Sequence, residues 1–284
     1  MMVHDPRASR NAHAKSKINR CLLKPMAGRF LKNKSMLNKS TIKYIQSLQQ
    51  KKFRDEHGCF VAEGPKLVLE LIDGRSFECE AVFALPAWIQ SNHDRFRELP
   101  ATSLHEIQKH ELDRIAAYAS PNEVVAVFRK KTETPPVPCQ GLCLLLDDIR
   151  DPGNLGTIIR SADWFGVNQI ICSEQTVDMY NPKVVQSTMA SLGRVNLYYT
   201  DLLHWIGQNP GCQVLAATLD GTAPEDIPKS DPTALIIGNE SAGVREALIN
   251  ASQGKVTIPR LGMAESLNAA TAAAVLLYAF TVGR

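Results

Sequence analysis

Beyond residue 141 the chain repeats one pattern that leaves it few folds: short, largely apolar runs separated by stretches of helical period. The runs lie at residues 142–146, 169–172, 196–199, 214–218, 235–237 and 256–258, and several have no polar side at all, LCLLL and LII most plainly. A strand with one wet face alternates polar and apolar residues, whereas a strand apolar at every position needs cover on both faces. Helical stretches around 156–165 and 182–192, and a final helix after residue 268, supply that cover. The pattern predicts an α/β domain with a mainly parallel sheet, Rossmann-like as far as pattern alone goes.

At 284 residues the chain has room for two such units and for a sizeable core. Its 44% hydrophobic and 21% charged content is ordinary globular usage, which excludes wholesale disorder and collagen-like or disulfide scaffolds. No apolar run approaches the length of a membrane span. The seven cysteines are odd in number and scattered, with no CxxC pair and no His at a zinc-like interval. They read as free thiols of a reducing cytoplasm and imply no metal, at Cys139 and Cys143 as elsewhere. A net charge of +3 diagnoses no partner, but its distribution is uneven: residues 1–39 hold Arg7, Arg10, Lys15, Lys17, Arg20 and further basic residues, with Asp5 the sole acid. That stretch is expected to be a disordered tail. Three readings of it stay open: a basic arm touching nucleic-acid phosphate, a solvated tail without a role, or sequence ahead of a true start at Met36. An organellar leader is disfavoured by the lack of an amphipathic face.

Residues 40–130 form a smaller unit of mixed elements. A helix capped by Ser40 and Thr41 is expected to run to Gln50, followed by a strand over 59–61, a turn at Glu63 and Gly64, and a helix opened by Pro65 and ended by Gly74. A strand at 81–85, a capped helix from Ser103 through residue 117 and a strand at 124–128 complete it. Residues 131–140, with Pro135, Pro136 and Pro138, read as an extended linker between two domains.

The chemistry concentrates where a polar loop meets the last helix. Pro259 ends the strand before it, Gly262 supports a tight loop, and Ser266 and Asn268 flank Leu267 where the small-residue run 269–274 begins. Side-chain oxygens and free backbone N–H groups both point outward at such a joint, although Ser266 or Asn268 taken alone reads as an N-cap. Two other stretches accompany it: LIIGNESAGV, a buried strand running into a glycine-flanked acidic turn, and DPGNLGTIIRSADWFGV, in which Arg160 follows Asn154 by six. In chain order these give N-x5-R, GNE and IP-x6-SLN, and together they resemble the motifs of the SpoU (TrmH-like) RNA 2′-O-ribose methyltransferases of the SPOUT superfamily.

The resemblance implies a catalytic domain at 141–284 whose last segment threads a deep trefoil knot, a rare exception to unknotted topology. It implies that 40–130 is an L30e-like RNA-binding domain, marked by FVAEGPKLV and SPNEVVAVF. It further implies S-adenosylmethionine as methyl donor, RNA as substrate (ribosomal in preference to transfer RNA), a homodimer in which both subunits shape the RNA site, no metal, and a cytoplasmic setting. Backbone at Gly238, Ile258 and Leu267 matches the family's cofactor positions, with Thr218 as a further contact. Arg160 matches the arginine assigned to activating the ribose hydroxyl; because a guanidinium is a poor base, binding phosphate and orienting the hydroxyl is the sounder role. Asn154, Glu240, Ser266 and Asn268 are expected around the reacting centre, and Lys183 and Arg194 on phosphate. The chain reads GNES where many members read GNEG, SLNA where they read SLNV, and Gln186 where a basic residue is frequent. Ser241 in place of glycine raises the question of a positive φ there. Two other readings are a catalytically silent RNA-binding protein and an unrelated nucleotide-binding α/β enzyme; no GxGxxG or GxxxxGK[ST] motif supports the second.

Overall fold

The computed structural model describes residues 37–96, 103–118, 123–228 and 230–282, and the expected tail over 1–36 lies outside them. The amino-terminal part runs α1 (Lys39–Ser47), α2 (Lys51–His57), β1 (Cys59–Glu63), α3 (Pro65–Gly74), β2 (Cys79–Ala84), α4 (Pro86–Ser91), β3 (Leu104–Glu106), α5 (Lys109–Ile115) and β4 (Val124–Arg129). Its sheet has the order β1-β4-β2-β3, with β4 antiparallel to β1 and β2, and β3 parallel to β2.

Three local differences from the sequence reading have physical causes. Asn38, not Ser40 or Thr41, caps α1, its side chain accepting from Thr41 N at 2.7 Å. The expected helix to Gln50 stops at Ser47 and is followed by a separate α2, whose one buried side chain is the charged Arg54, so α2 carries no apolar stripe to betray it. Residues 104–106 pair with β2 as a strand, and the helix beyond starts at Lys109 behind a reciprocal Gln108–Glu111 capping box; strand pairing overrides the local helical preference.

The second part follows the expected alternation: β5 (Leu142–Leu146), α6 (Pro152–Trp164), β6 (Gln169–Cys172), α7 (Pro182–Thr188), β7 (Asn196–Tyr199), α8 (Leu202–Gln208), β8 (Gln213–Thr222), β9 (Thr233–Ile237), α9 (Glu246–Ala251), β10 (Gly254–Val256) and α10 (Ala269–Thr281). The six strands are ordered β10-β8-β9-β5-β6-β7 and every pair is parallel. Side chains alternate between two buried faces. Leu144, Ile170 and Leu235 join Ile158 of α6 and Leu276 of α10, while Cys143, Leu145 and Ile236 join Trp205 of α8 and Leu248 of α9. Full apolarity of the strands thus has its cause in cover from both sides. The six described cysteines are free. Among the described residues no helix is long and apolar enough to cross a membrane.

One apolar cluster continues between the two sheets, including Phe60, Leu71 and Phe77 on one side and Tyr180 and Leu192 on the other. The proline-rich segment runs beside it in extended form, with the Lys131 N–H donating to Tyr180 Oη at 3.1 Å and Gln169 Nε2 donating to Val137 O at 2.7 Å.

Candidate functional site

In a parallel sheet all strand ends of one sense lie along one edge, and loops leaving that edge can meet. Three do so here: those after β5, β9 and β10. The β5 end carries Asp147, wholly buried, whose Oδ2 accepts from Arg245 N at 2.9 Å and whose Oδ1 accepts from Arg245 Nε at 2.7 Å. A buried carboxylate satisfied by a backbone amide and a guanidinium is a strong tie, and it fastens the loop after β9 to β5. Asp148 O accepts from Asn239 Nδ2 at 2.8 Å, and Asn239 Oδ1 accepts from Ser241 N at 2.8 Å and Ala242 N at 3.2 Å. Asn239 and Gly243 exchange backbone hydrogen bonds of 3.1 and 2.9 Å. The left-handed residue of this turn is Gly243, at φ 69°, so Ser241 stands where no positive φ is required.

Gly238 was expected to lack a side chain so that a ligand could approach its backbone. The structure adds a reason within the fold: a Cβ there would lie 2.2 Å from Gly243 C and 2.3 Å from Val244 N, because the turn doubles back onto Gly238. The glycine serves the fold of the loop, although its backbone still lines the cavity described below.

Asp151 caps α6, its Oδ1 accepting from Asn154 N at 2.8 Å, with Pro152 at the first helical position. Asn154 therefore sits in the first turn, facing the two other loops. Its Nδ2 donates to Glu240 Oε1, and its Oδ1 accepts from Asn268 Nδ2 at 2.9 Å. Asn268 in turn caps α10, Oδ1 accepting from Ala270 N at 2.9 Å and Thr271 N at 3.3 Å. Each amide has one orientation that satisfies its neighbours: the cap fixes Asn268, Asn268 fixes Asn154, and Asn154 points its N–H at Glu240. Asn154, Glu240 and Asn268, one from each loop, thus form a single hydrogen-bonded chain at the surface.

Beside it lies a cavity of about 800 Å³ between the end of β8, the loop after β9 and the loop after β10. Thr218, Gly238, Ile258, Ser266 and Leu267, drawn from all three segments, line it. Ile258 lies past the end of β10, which stops at Val256 rather than at 258 as expected. Thr218 Oγ1 is buried and makes no hydrogen bond of normal geometry among the described residues, but it lies close enough to the Asp220 carboxylate to join Lys255 in holding that group's pKa down. From Ile258 to Leu267 the only hydrogen bond of the main chain among the described residues is Ala264 O accepting from Arg260 Nη1 at 3.4 Å. A buried hydroxyl and a run of unpaired main-chain groups, set against apolar walls such as Ile237 and Leu276, suit a ligand with both polar edges and apolar surface.

The remaining expected residues are not part of that cluster. Arg160 is exposed and has no hydrogen bond or ion pair among the described residues; with Thr157 and Trp164 it forms the outer stripe of α6. Lys183 is exposed and lies 3.6 Å from Asp151 Oδ2. Arg194 is engaged, with Nε and Nη2 each 2.8 Å from Asp163 Oδ2 and Nη1 3.9 Å from Glu70. Asp163 also accepts from Ser191 Oγ at 2.7 Å. The sequence reading passed over Asp147, Asp151 and Arg245; the acid pair at the end of a buried strand and the Asp-Pro step opening a helix were the available signals. Among the described residues no group of three or more His, Cys, Asp and Glu is placed to hold a metal ion.

Residues 141–278 match the SpoU rRNA Methylase family, and residues 39–126 match the MRM3-like substrate binding domain. The chain is 30% identical over 240 residues to the 23S rRNA (guanosine(2553)-2′-O)-methyltransferase RlmP of Bacillus subtilis, covering 84% of this chain and 94% of that protein. Among solved structures, the AdoMet-bound rRNA methyltransferase from Sinorhizobium meliloti superposes with a TM-score of 0.77 at 30% identity, over 87% of this chain and 96% of that one. The SpoU methyltransferase AviRb from Streptomyces viridochromogenes, in complex with AdoMet, gives 0.75 at 25% identity, over 87% and 98%.

Proposed function

We propose that this chain, which belongs to the SpoU rRNA methylase family, is an S-adenosylmethionine-dependent enzyme that methylates a ribose 2′-hydroxyl of RNA, in ribosomal rather than transfer RNA. The observation that carries the reading is the meeting of Asn154, Glu240 and Asn268, from three loops, beside a cavity walled by a run of unpaired main-chain groups between Ile258 and Leu267.

The residues present fit the donor. Unpaired main-chain groups between Ile258 and Leu267 are available to its adenine and amino-acid parts, the Thr218 hydroxyl adds a buried hydrogen-bonding group, and Gly238 completes the wall. When bound, S-adenosylmethionine supplies a methyl group on a sulfonium centre. The chain's task is then to hold a ribose oxygen in line and to accept its hydrogen bond. Glu240 Oε1 is occupied by Asn154, which leaves Oε2 to accept from the hydroxyl; Ser266 lies on the same rim. Arg160 binds the adjoining phosphate and polarises the hydroxyl, and Lys183 adds positive charge near the start of α6. Arg194 makes the weaker case for phosphate contact, since its guanidinium is held by Asp163.

The active form is a homodimer. Trp164 is 83% exposed, and Val275, Tyr278 and Val282 form an exposed apolar stripe on α10, which packs against α6. A second copy seated there covers these side chains and brings Arg160, on the same outer stripe as Trp164, to a site shared between subunits. The trefoil knot is carried over from the family; its support here is that the chain leaves edge strand β10 and returns across the sheet to pack α10 on α6. The four-stranded unit before the linker is taken as the L30e-like RNA-binding domain, so the division is 40–130, linker 131–140 and catalytic 141–284. No metal takes part, and the setting is cytoplasmic.

The test is transfer of labelled methyl from S-adenosylmethionine to ribosomal RNA fragments, with the product mapped by resistance of the modified ribose to alkaline cleavage. Methylation of bases only, or none with any ribosomal or transfer RNA, overturns the reading.

A further inference from the structure

The one buried side chain of α2 is charged. Arg54 is 2% exposed and uses its whole fork: Nε and Nη2 donate to Asp178 Oδ2 at 3.0 and 2.6 Å, and Nη1 donates to Leu48 O at 3.0 Å and Gln49 O at 2.9 Å. Asp178, 12% exposed by side chain, lies in the connection between β6 and α7 of the other sheet, and its Oδ1 accepts from Tyr180 N at 3.0 Å. As a device for adhesion this pair is poor, because a well-packed apolar pair of the same volume often holds two surfaces as well or better. A planar fork fixed by four hydrogen bonds adds one defined relative orientation, which apolar packing leaves looser.

The segment that receives the fork is itself gripped on other sides. The Tyr180 ring lies 4.9 Å from Phe60, and its hydroxyl accepts from the Lys131 amide of the linker. Tyr199 Oη of β7 accepts from Met179 N and donates to Val177 O, both at 2.8 Å. The path onward is stiff. Asn181 caps α7, accepting from Lys183 N at 2.9 Å, and α7 lies so close on α6 that a Cβ at Gly156 would be 2.4 Å from Ser187 Cβ and 2.8 Å from Val184 O. Helix α6 carries Asn154 and Arg160.

We propose that Arg54 is a positioning residue: the two-pronged hold of its guanidinium on one oxygen of Asp178 sets the angle at which RNA gripped by the amino-terminal unit reaches Asn154 and Arg160. The inference rests on the methyltransferase reading above, and it adds to that reading a residue far from the reacting atoms that acts through the β6–α7 connection.

The test uses the full chain carrying Arg54→Ala, Asp178→Ala, the double substitution and Arg54→Lys. Substrates are a long ribosomal RNA fragment, able to span both units, and a short oligoribonucleotide confined to the catalytic half. Arg54→Ala is expected to raise KM for the long RNA by about tenfold, with kcat/KM for the short one and S-adenosylmethionine affinity by calorimetry each within about twofold. Asp178→Ala should match it, and the double substitution should be no worse than either single one. Arg54→Lys should recover part of the loss. Trypsin should cut faster after Lys130 and Lys131 in the alanine variants. Equal losses on long and short RNA together with weakened cofactor binding would show a general structural role and overturn the proposal, as would an unchanged KM in an active enzyme. If the alanine variants do not fold, Arg54→Met with Asp178→Leu keeps volume and burial, and the same KM shift is expected at wild-type stability. A wild-type chain that methylates no RNA sinks the functional reading instead; unchanged trypsin cleavage then still overturns the coupling.

Discussion

Asn268 donates its side-chain N–H to Asn154 Oδ1 at 2.9 Å across 114 residues of chain, while its own Oδ1 caps α10. The two tasks use opposite ends of one amide, so a substitution can separate them. Asn268→Asp keeps a capping oxygen at a helix N-terminus, where negative charge is favourable, but cannot donate to Asn154. Thermal stability should stay within about 1 kcal/mol of wild type. Methyl transfer should fall by about 100-fold, the scale seen when a positioned donor is lost from a reacting centre. Equal activity in the two proteins would remove the network from the mechanism.

Arg160→Ala should abolish methyl transfer, by about 100-fold or more, while leaving S-adenosylmethionine affinity within a few-fold, because the guanidinium lies outside the cavity. Arg160→Lys should rescue little, since a point charge does not reproduce a forked phosphate contact. Rapid single-turnover assays with normal rates in either variant would end the assignment.

Thr218→Val removes a hydroxyl that makes no hydrogen bond of normal geometry among the described residues. Only its contact with the exposed Asp220 carboxylate is lost, so the melting temperature should change little. The affinity for S-adenosylmethionine should weaken by about three- to tenfold, the value of about one hydrogen bond. A destabilised protein with unchanged affinity in calorimetry would place the hydroxyl's partner inside the chain.

Gly238→Ala puts a methyl group into the backbone of Gly243 and Val244, and overpacking of that kind costs about 1–3 kcal/mol. Denaturant unfolding should show the loss, and cofactor binding should fail along with the loop. Ser241→Gly, at a position without positive φ, should by contrast leave both unchanged. Wild-type stability in Gly238→Ala with selective loss of cofactor would favour the role in ligand approach that the sequence suggested.

Trp164→Glu combined with Tyr278→Glu places charge on the exposed face of α6 and α10. Sedimentation should show the wild type as a dimer and the double variant as a folded monomer without transferase activity. A wild type that sediments as a monomer refutes the shared site.

Much of the parallel sheet was legible because its central strands β5, β6 and β9 are buried on both faces and mostly apolar, a property that survives without knowledge of neighbours. The strands over 142–146, 169–172 and 196–199 are found at those positions. What escaped was set by tertiary context. Helix α2 hides behind a buried Arg54, α8 and α9 span only seven and six residues, and Leu104–Glu106 becomes a strand only because β2 is beside it. At the site, Asn154, Glu240 and Asn268 were named through motif likeness and meet in space. Asp147 and Arg245 were not named: the acid pair closing a buried strand marks Asp147 as unusual, but nothing local says that its partner lies 98 residues away. Gly238 was picked for ligand approach, and the doubling back of its turn, visible only in three dimensions, adds a second reason for glycine there.

Parallel strands put Asn154, Glu240 and Asn268 on one rim, and the last of the three loops in chain order is the one ending in Asn268. Until that loop docks, Asn154 and Glu240 lack their third member and the cavity lacks a wall. Docking of that loop and completion of the three-residue network are therefore one event, so cavity and network form together rather than in stages.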